Sequence, residues 1–243
     1  MGEAKRRKQT GAPAPRKHRN KKPAIIGISV AVIAVVAVAV YFLTQPPKPT
    51  SEALPVAAPN ASDFPAFLDQ YGISVGPENA PVVVREFADY QCPACARFSS
   101  ASQRLKNEYV DTGKVRFVYF DLPLRQHQNA VPAAQAARCA GDQGQYWQMH
   151  DKLYDAQNEW SGSNDPVATF TRYANGLGLE ERRFRRCLTT ELHKEAVEQS
   201  LQVAVQMRVT STPTVMVDNI QLTRPGWGQL SAVVERELNK ADN

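Results

Sequence analysis

Two cysteines separated by two residues, Cys92 and Cys95, form the pattern in this sequence with the clearest chemistry. Thiol–disulfide exchange needs two sulfur atoms close enough to bridge, one of which reacts as a thiolate. Pro93 suits the first turn of a helix, where its missing N–H is not needed. Unpaired N–H groups and the helix dipole favour an anion at that position. The pattern therefore predicts a redox pair in which Cys92 is exposed and forms mixed disulfides, while Cys95 resolves them.

Other uses of a CxxC pattern remain open at this point. Half of a zinc site would need two further ligands, but Cys139 and Cys187 are isolated and no second CxxC or CxxH occurs. A non-catalytic scaffold protein, in which CxxC is a structural bridge or a metal clip, is a third alternative. The histidines of this region, including His127 and His193, lack metal-ligand spacing, so we expect neither a metal nor a cofactor.

The predicted elements around the motif place it at the start of a helix. The β-branched run 81–87 predicts a buried strand, and apolar positions at helical spacing predict a helix from Cys92 to about Tyr109. The run 115–120 predicts a second strand. A strand, a helix and a strand in this order form a βαβ unit, whose two strands normally lie parallel.

The rest of the domain is predicted to be a helical block followed by a hairpin and a final helix. Strands are expected at 214–217 and 221–222, across a turn at Asp218-Asn219, and the last helix at about 229–239. One α/β domain, 64–243, with a helical insertion at about 129–207, explains this order better than two domains. The insertion is expected to contain helices at 131–140, 146–155, 166–175, 180–188 and 192–207.

Charge is unevenly distributed along the 243 residues. Residues 1–23 hold nine of the 29 Lys and Arg but one of the 24 acids, which leaves 20 basic and 23 acidic residues elsewhere. The net charge of +5 therefore arises from residues 1–23, because the rest of the chain has more acidic than basic residues. A basic surface for nucleic acid is not indicated for the folded domain.

A membrane anchor is predicted next to this basic tail. Residues 24–43 carry no charge, and a helix of that length spans about 30 Å, the thickness of a bilayer core. The basic flank keeps residues 1–23 in the cytoplasm and places the domain outside. Residues 44–63 contain five prolines and predict an extended linker. A cleaved signal peptide is the alternative, and it also exports the domain.

The residues around the motif resemble a known family. Gly76-x-x-x-Ala80-Pro81, Glu86-Phe87-x-Asp89-Tyr90-x-Cys92-Pro93-x-Cys95 and Ser211-Thr212-Pro213-Thr214 look like the active-site region of DsbA-like thiol–disulfide oxidoreductases, a branch of the thioredoxin superfamily. Membrane-anchored members of this branch are most similar in layout. The resemblance implies an α/β thioredoxin-like fold with an inserted helical subdomain, preceded by a transmembrane helix.

The same resemblance implies roles for individual residues. Pro213 matches a cis-proline that faces the CxxC and holds substrate, and Thr212 matches a residue that touches substrate and tunes redox behaviour. Glu86 matches a buried acid that relays the proton of the resolving thiol. Cys139 and Cys187 form either a structural disulfide, which related proteins suggest, or a second redox pair. From the residues alone, Pro213 in trans and Glu86 as a surface charge are the alternatives.

The expected function is that of a disulfide oxidase acting on reduced, newly exported proteins. A quinone-linked membrane oxidoreductase is the reoxidising partner that the family implies. Ala94 replaces the His of strongly oxidising members, which removes one source of thiolate stabilisation and argues against extreme oxidising power. Ser211 replaces a Gly that is common before the Thr-Pro pair in relatives. The rival interpretation is an envelope reductase or isomerase that uses the same chemistry in another direction.

Overall fold

The computed structural model describes residues 53–57 and 63–241. Five strands in this part of the chain form one sheet in the order β1-β3-β2-β4-β5. Only β2 and β3 are parallel to each other, as a βαβ unit requires, and the other pairs are antiparallel. The strands are β1 (Ile73–Val75), β2 (Val82–Ala88), β3 (Val115–Asp121), β4 (Thr214–Val217) and β5 (Ile220–Gln221).

The central strand β2 is buried over almost its full length, as its β-branched composition predicts. The predicted bounds of β2 and β3 differ from the observed bounds by one residue. Strand β1 was not predicted, because its three residues are too few to show a period of two in the sequence. Gly76 ends this strand at a φ of 98°, and a Cβ there would meet the Val115 carbonyl oxygen at 2.5 Å.

Helix α1 (Pro93–Leu105) follows β2 and carries the CxxC motif at its first turn. The helical run extends to about Tyr109 as predicted, but residues Lys106–Val110 form a π-helical turn instead of α-helix. The backbone N–H of Lys114 donates to the Tyr109 carbonyl at 3.0 Å, so the wider turn satisfies the groups at this helix end. Phe98 and Leu105 of α1 pack into the core.

The six helices described between β3 and β4 occupy the predicted insertion. The four-residue helix α4 was missed because it is too short to show a helical period. Small alanines of α2 let its neighbours approach closely, and Trp160 of α4 is fully buried. The helices are α2 (Ala130–Gly141), α3 (Tyr146–Asp155), α4 (Gln157–Trp160), α5 (Pro166–Gly176), α6 (Glu181–Thr189) and α7 (Lys194–Gln206).

The C-terminal hairpin turns at Asp218-Asn219 as predicted, with Asp218 at a φ of 51°. Its second strand lies one residue earlier than the predicted 221–222, because Ile220 pairs with Val217 across the two-residue turn. The Asp218 carboxylate accepts the N–H of Val83 at 2.9 Å, which ties the turn to β2. Helix α8 (Trp227–Ala241) closes the domain and starts two residues before its predicted position.

Part of the predicted linker contacts the domain. Leu54 packs against the core, and the Pro55 carbonyl accepts a hydrogen bond from Arg236 of α8 at 2.8 Å. Residues 53–57 are therefore docked rather than extended away from the domain, since an apolar side chain and a carbonyl both find partners there. The predicted tail 1–23, the anchor 24–43 and residues 44–52 lie outside the described residues. Among the described helices, none combines the length and the apolar character needed to cross a bilayer.

Candidate active site

The CxxC motif lies where β2 ends and α1 begins. The N–H of Cys92 donates to the Asp89 carbonyl at 3.0 Å, and the Asp89 carboxylate accepts the N–H of Gln91 at 2.7 Å. Asp89 is thus the turn residue that the sequence indicates, and Cys92 itself is the N-cap of α1, with Pro93 as the first helical residue. This turn directs the Cys92 sulfur to the positive end of the helix.

The two thiols are free and differ in exposure, since Cys92 is 8% exposed and Cys95 is fully buried. A hydrogen bond from the Cys95 thiol is the largest influence that lowers the pKa of Cys92 to about 4, against the opposing effect of burial. Burial raises the pKa of Cys95 far above its usual range, and its hydrogen bond to Cys92 adds to this. The pair therefore holds one thiolate and one thiol at neutral pH, which is the division of roles that exchange requires.

Thr212 and Pro213 lie beside this pair. Strand β4 runs antiparallel to β2 with Thr214 opposite Phe87, so the residues before β4 reach the end of β2. The Thr212–Pro213 peptide bond is cis, and the Thr212 carbonyl oxygen lies 3.7 Å from the Cys92 sulfur. The buried Thr212 hydroxyl has no hydrogen bond of ordinary geometry within the described residues, yet it further lowers the pKa of Cys92. A thiolate at Cys92 gives this hydroxyl an acceptor.

Glu86 is fully buried on β2, and this excludes the alternative of a surface charge. Burial raises its pKa to about 7, although the Ser102 hydroxyl of α1 donates to its carboxylate at 2.6 Å. After burial and the Cys92 thiol, the charge of the Glu86 carboxylate adds to the raised pKa of Cys95. Its second oxygen has no hydrogen-bond partner in the described part of the chain. A carboxyl with this pKa can accept and release a proton near neutral pH.

Two glutamine side chains that the sequence did not single out hold the motif in place. Gln157 of α4 donates to the carbonyls of Tyr90 and Cys92, at 2.7 and 3.0 Å. Gln91 donates to the Ser161 carbonyl and accepts the N–H of Asn129. The carbonyls that these amides reach are buried or partly buried, so each bond also satisfies a backbone group. Only the tertiary structure brings these residues together, so no sequence signal could have identified them.

His127, which lacks metal-ligand spacing in the sequence, contacts the motif indirectly. Its Nδ1 lies 2.8 Å from the Asp89 carboxylate, which also accepts the N–H of Leu124 at 2.8 Å. Burial raises the pKa of Asp89. The contact joins the loop after β3 to the loop that precedes Cys92.

Cys139 of α2 and Cys187 of α6 form a disulfide in this structure, with Cα atoms 5.8 Å apart. The bond closes a segment with a sequence separation of 48 residues within the insertion. It lies among buried side chains of the core and joins two helices that also pack against each other.

We expect removal of this disulfide by Cys139→Ala with Cys187→Ala to destabilise the domain by about 4 kcal/mol, the chain-entropy value for a loop of this length. Urea unfolding of the purified chain measures the difference, with the Ser100→Ala variant as an exposed, neutral control. A loss of less than about 1 kcal/mol would contradict a stabilising role.

The pKa of Cys92 can be tested by alkylation of the reduced protein. We expect the rate of iodoacetamide reaction at Cys92 to rise through a midpoint near pH 4, because only the thiolate reacts. The Cys95→Ala variant removes the main hydrogen bond, so its midpoint should lie at higher pH. Equal midpoints in the two proteins would show that the Cys95 thiol does not stabilise the Cys92 thiolate.

Comparison with known proteins places this site in a family. A family model described as thioredoxin matches residues 69–236, more than two thirds of the chain. The chain belongs to the thioredoxin family. The predicted α/β thioredoxin-like fold with a helical insertion is confirmed, and so is the resemblance to the DsbA branch. The membrane-anchored form stays a prediction.

Two curated proteins and one solved structure are similar to this chain. The probable disulfide bond formation protein D of Bacillus anthracis is 29% identical over 231 residues, covering 92% of this chain and 100% of that protein. The Na(+)/H(+) antiporter NhaA 3 of Salinispora tropica is 38% identical over 144 residues, which is 59% of this chain. The chain thus aligns with 21% of the antiporter's length. Oxidised BdbD from Bacillus subtilis has the same fold, with a TM-score of 0.62 and 23% identity over 70% of this chain and 94% of that one.

Proposed function

We propose that this protein is a thiol–disulfide oxidoreductase of the DsbA type that introduces disulfides into exported proteins. The observation that carries the direction of exchange is the lowered pKa of Cys92, to about 4. At pH 7 a thiol with that pKa is protonated in about one molecule in a thousand. A stable thiolate stabilises the reduced dithiol and makes the disulfide form a stronger oxidant.

The reaction begins with the Cys92–Cys95 disulfide. A substrate thiolate attacks the Cys92 sulfur, which is the more exposed of the two, and Cys95 leaves as a thiolate. Since burial disfavours charge at Cys95, that sulfur takes up a proton, and Glu86 is placed to supply it. A second substrate thiolate then attacks the mixed disulfide, so that the substrate leaves oxidised and Cys92 remains as a thiolate.

The partners in this proposal are reduced exported proteins and a quinone-linked membrane oxidoreductase that reoxidises the motif. The Thr212 carbonyl beside Cys92 offers a hydrogen-bond acceptor to an extended substrate backbone. Residues 24–43 would anchor the protein in the cell membrane, with residues 1–23 in the cytoplasm and the domain on the other side. Resistance of the full chain to alkaline carbonate extraction, and labelling of the domain from outside, test this topology.

The test of the function is to mix the oxidised protein with a reduced, unfolded protein that needs disulfides for activity. We expect rapid recovery of that activity and reduction of Cys92 and Cys95. Equilibration with glutathione should give a potential less negative than about −200 mV, towards the oxidising end of the thioredoxin superfamily. A potential near −270 mV, or a reduced motif in growing cells, would instead support a reductase.

A further inference from the structure

The disulfide of the helical insertion has two unusual neighbours. The sulfur atoms of Cys139 and Cys187 and a ring nitrogen of His193 all lie within 4.8 Å of one another. The Asp142 carboxylate lies 3.6 Å from the Cys187 sulfur and 2.9 Å from Nε2 of His193. These four side chains are of the types that bind zinc in proteins.

Three separate elements bring the four groups together. Cys139 lies on α2, and Asp142 is the C-cap of that helix. Cys187 lies on α6, and His193 is the N-cap of α7. Their spacing along the chain does not match a usual zinc motif, so the sequence alone does not indicate a cluster here.

The cluster is buried on the sulfur side and open on the other. Cys139 and Cys187 are 1% and 5% exposed, whereas the side chains of His193 and Asp142 are 23% and 31% exposed. A cavity of roughly 230 Å³ borders His193 and Asp142 and gives access for an ion. Arg138 also borders this cavity, but its guanidinium pairs with Asp121 at 2.7 Å and so does not neutralise Asp142.

We propose that Cys139, Cys187, His193 and Asp142 bind Zn²⁺ when the Cys139–Cys187 disulfide is reduced. The reductant is a dithiol, which transfers two electrons and two protons and becomes a disulfide, leaving both cysteines as thiols. Zinc binding then displaces the two thiol protons to solvent and forms two zinc–thiolate bonds. Reoxidation by a disulfide-containing protein reverses this sequence and releases the ion.

The geometry needs little rearrangement beyond opening the disulfide. In a tetrahedral zinc site with Zn–S bonds of about 2.3 Å, two thiolates lie about 3.8 Å apart. In the disulfide, the two sulfur atoms are bonded and the Cα atoms of Cys139 and Cys187 lie 5.8 Å apart. After reduction, rotation about the two Cα–Cβ bonds can move the sulfur atoms apart. The carboxylate of Asp142 already contacts Cys187 and His193, so it is placed to supply the fourth ligand.

A zinc ion would thus connect α2 to α6 when the disulfide that connects them is reduced. In the oxidised chain a covalent bond joins the two helices, and in the reduced chain the metal joins the same residues. The site would therefore hold the insertion together under reducing conditions, independently of the reaction at Cys92.

The experiment uses the full chain in detergent with Cys92→Ser and Cys95→Ser, so that only Cys139 and Cys187 can respond. The protein is reduced with a phosphine and titrated with Zn²⁺ against a chromophoric chelator, and with Co²⁺ as a spectroscopic probe. We expect one metal per reduced chain, with the intense visible bands of tetrahedral Co²⁺ and thiolate charge transfer. The oxidised chain should bind none.

Matched histidine variants test the ligand set. We expect His193→Ala to weaken zinc binding by at least about tenfold, a loss that even supporting residues of metal sites produce. Asp142→Asn should also weaken it, while His127→Ala should leave it unchanged. Zinc should raise the melting temperature of the reduced chain and not that of the oxidised chain.

Several results would overturn the proposal. These are the absence of tetrahedral Co²⁺ bands in the reduced chain, or equal zinc affinity in the His193→Ala variant and its parent. A reduced chain that is unfolded by circular dichroism, and that one equivalent of zinc does not refold, would also count against the site.

Discussion

Replacing Cys92 with Ala is expected to reduce disulfide transfer by at least about a hundredfold, because the only partly exposed sulfur of the motif is lost. Replacing Cys95 with Ala has a different expected result. The Cys92 thiolate then still attacks a disulfide-bonded protein, but no buried thiol is left to release it. Non-reducing electrophoresis of the Cys95→Ala protein should therefore show a covalent adduct that disappears with reductant.

The control is Ser100→Ala, an exposed change on the same helix, which should transfer disulfides at the wild-type rate. Adducts on Cys92→Ala, together with none on Cys95→Ala, would reverse the assigned roles of the two sulfurs. Transfer that survives in the Cys92→Ala protein would support the non-catalytic alternative instead.

Replacing Glu86 with Gln is expected to stabilise the fold above pH 8 by about 3 kcal/mol, and to change it little at pH 4. The pKa of Glu86 is raised from 4.5 to about 7, so the folded state favours its protonated form. That contribution to stability is fully present below pH 4.5 and is lost as pH rises through 7. The magnitude follows from the raised pKa at 1.36 kcal/mol for each unit. Gln is neutral at every pH and can still accept from Ser102.

Urea unfolding at pH 4, 6 and 8 measures this effect, with the exposed Glu78→Gln as the matched control. The control should show no pH-dependent difference from the parent. If Glu86→Gln also slows transfer at neutral pH while it stabilises the fold, the carboxyl has a role in proton movement. A variant less stable than the parent at pH 8 would show that the Glu86 carboxylate is charged and paired in the folded protein.

The strand and the helix next to the site could be predicted because short stretches of consecutive residues determine them. The run of valines before Arg85 defines β2, and Pro93 defines the start of α1, so the position of Cys92 follows from local sequence. The resemblance to a family added Glu86, Thr212 and Pro213. Thr212 lies 120 residues from Cys92 in sequence, so local patterns do not connect the two.

What the sequence could not indicate depends on packing between distant segments. Gln157 reaches the motif from 65 residues away, in a helix of four residues that shows no period. Asp142 and His193 meet beside the disulfide across 51 residues of chain. Such contacts depend on how the helices of the insertion pack against one another. Composition and residue spacing within a short stretch of sequence do not determine that packing. The low pKa of Cys92 likewise depends on the three-dimensional position of the Cys95 thiol.

The hydrogen bonds that Gln157 donates go to main-chain carbonyls, at Tyr90 and Cys92. Every amino acid has such a carbonyl, so these bonds do not depend on which side chains stand between the two cysteines. Substitution at Ala94 can therefore alter the redox chemistry without removing the hydrogen bonds from Gln157 that hold the motif in position. A scaffold built in this way allows evolution, or an engineer, to adjust oxidising strength one residue at a time while the fold stays constant.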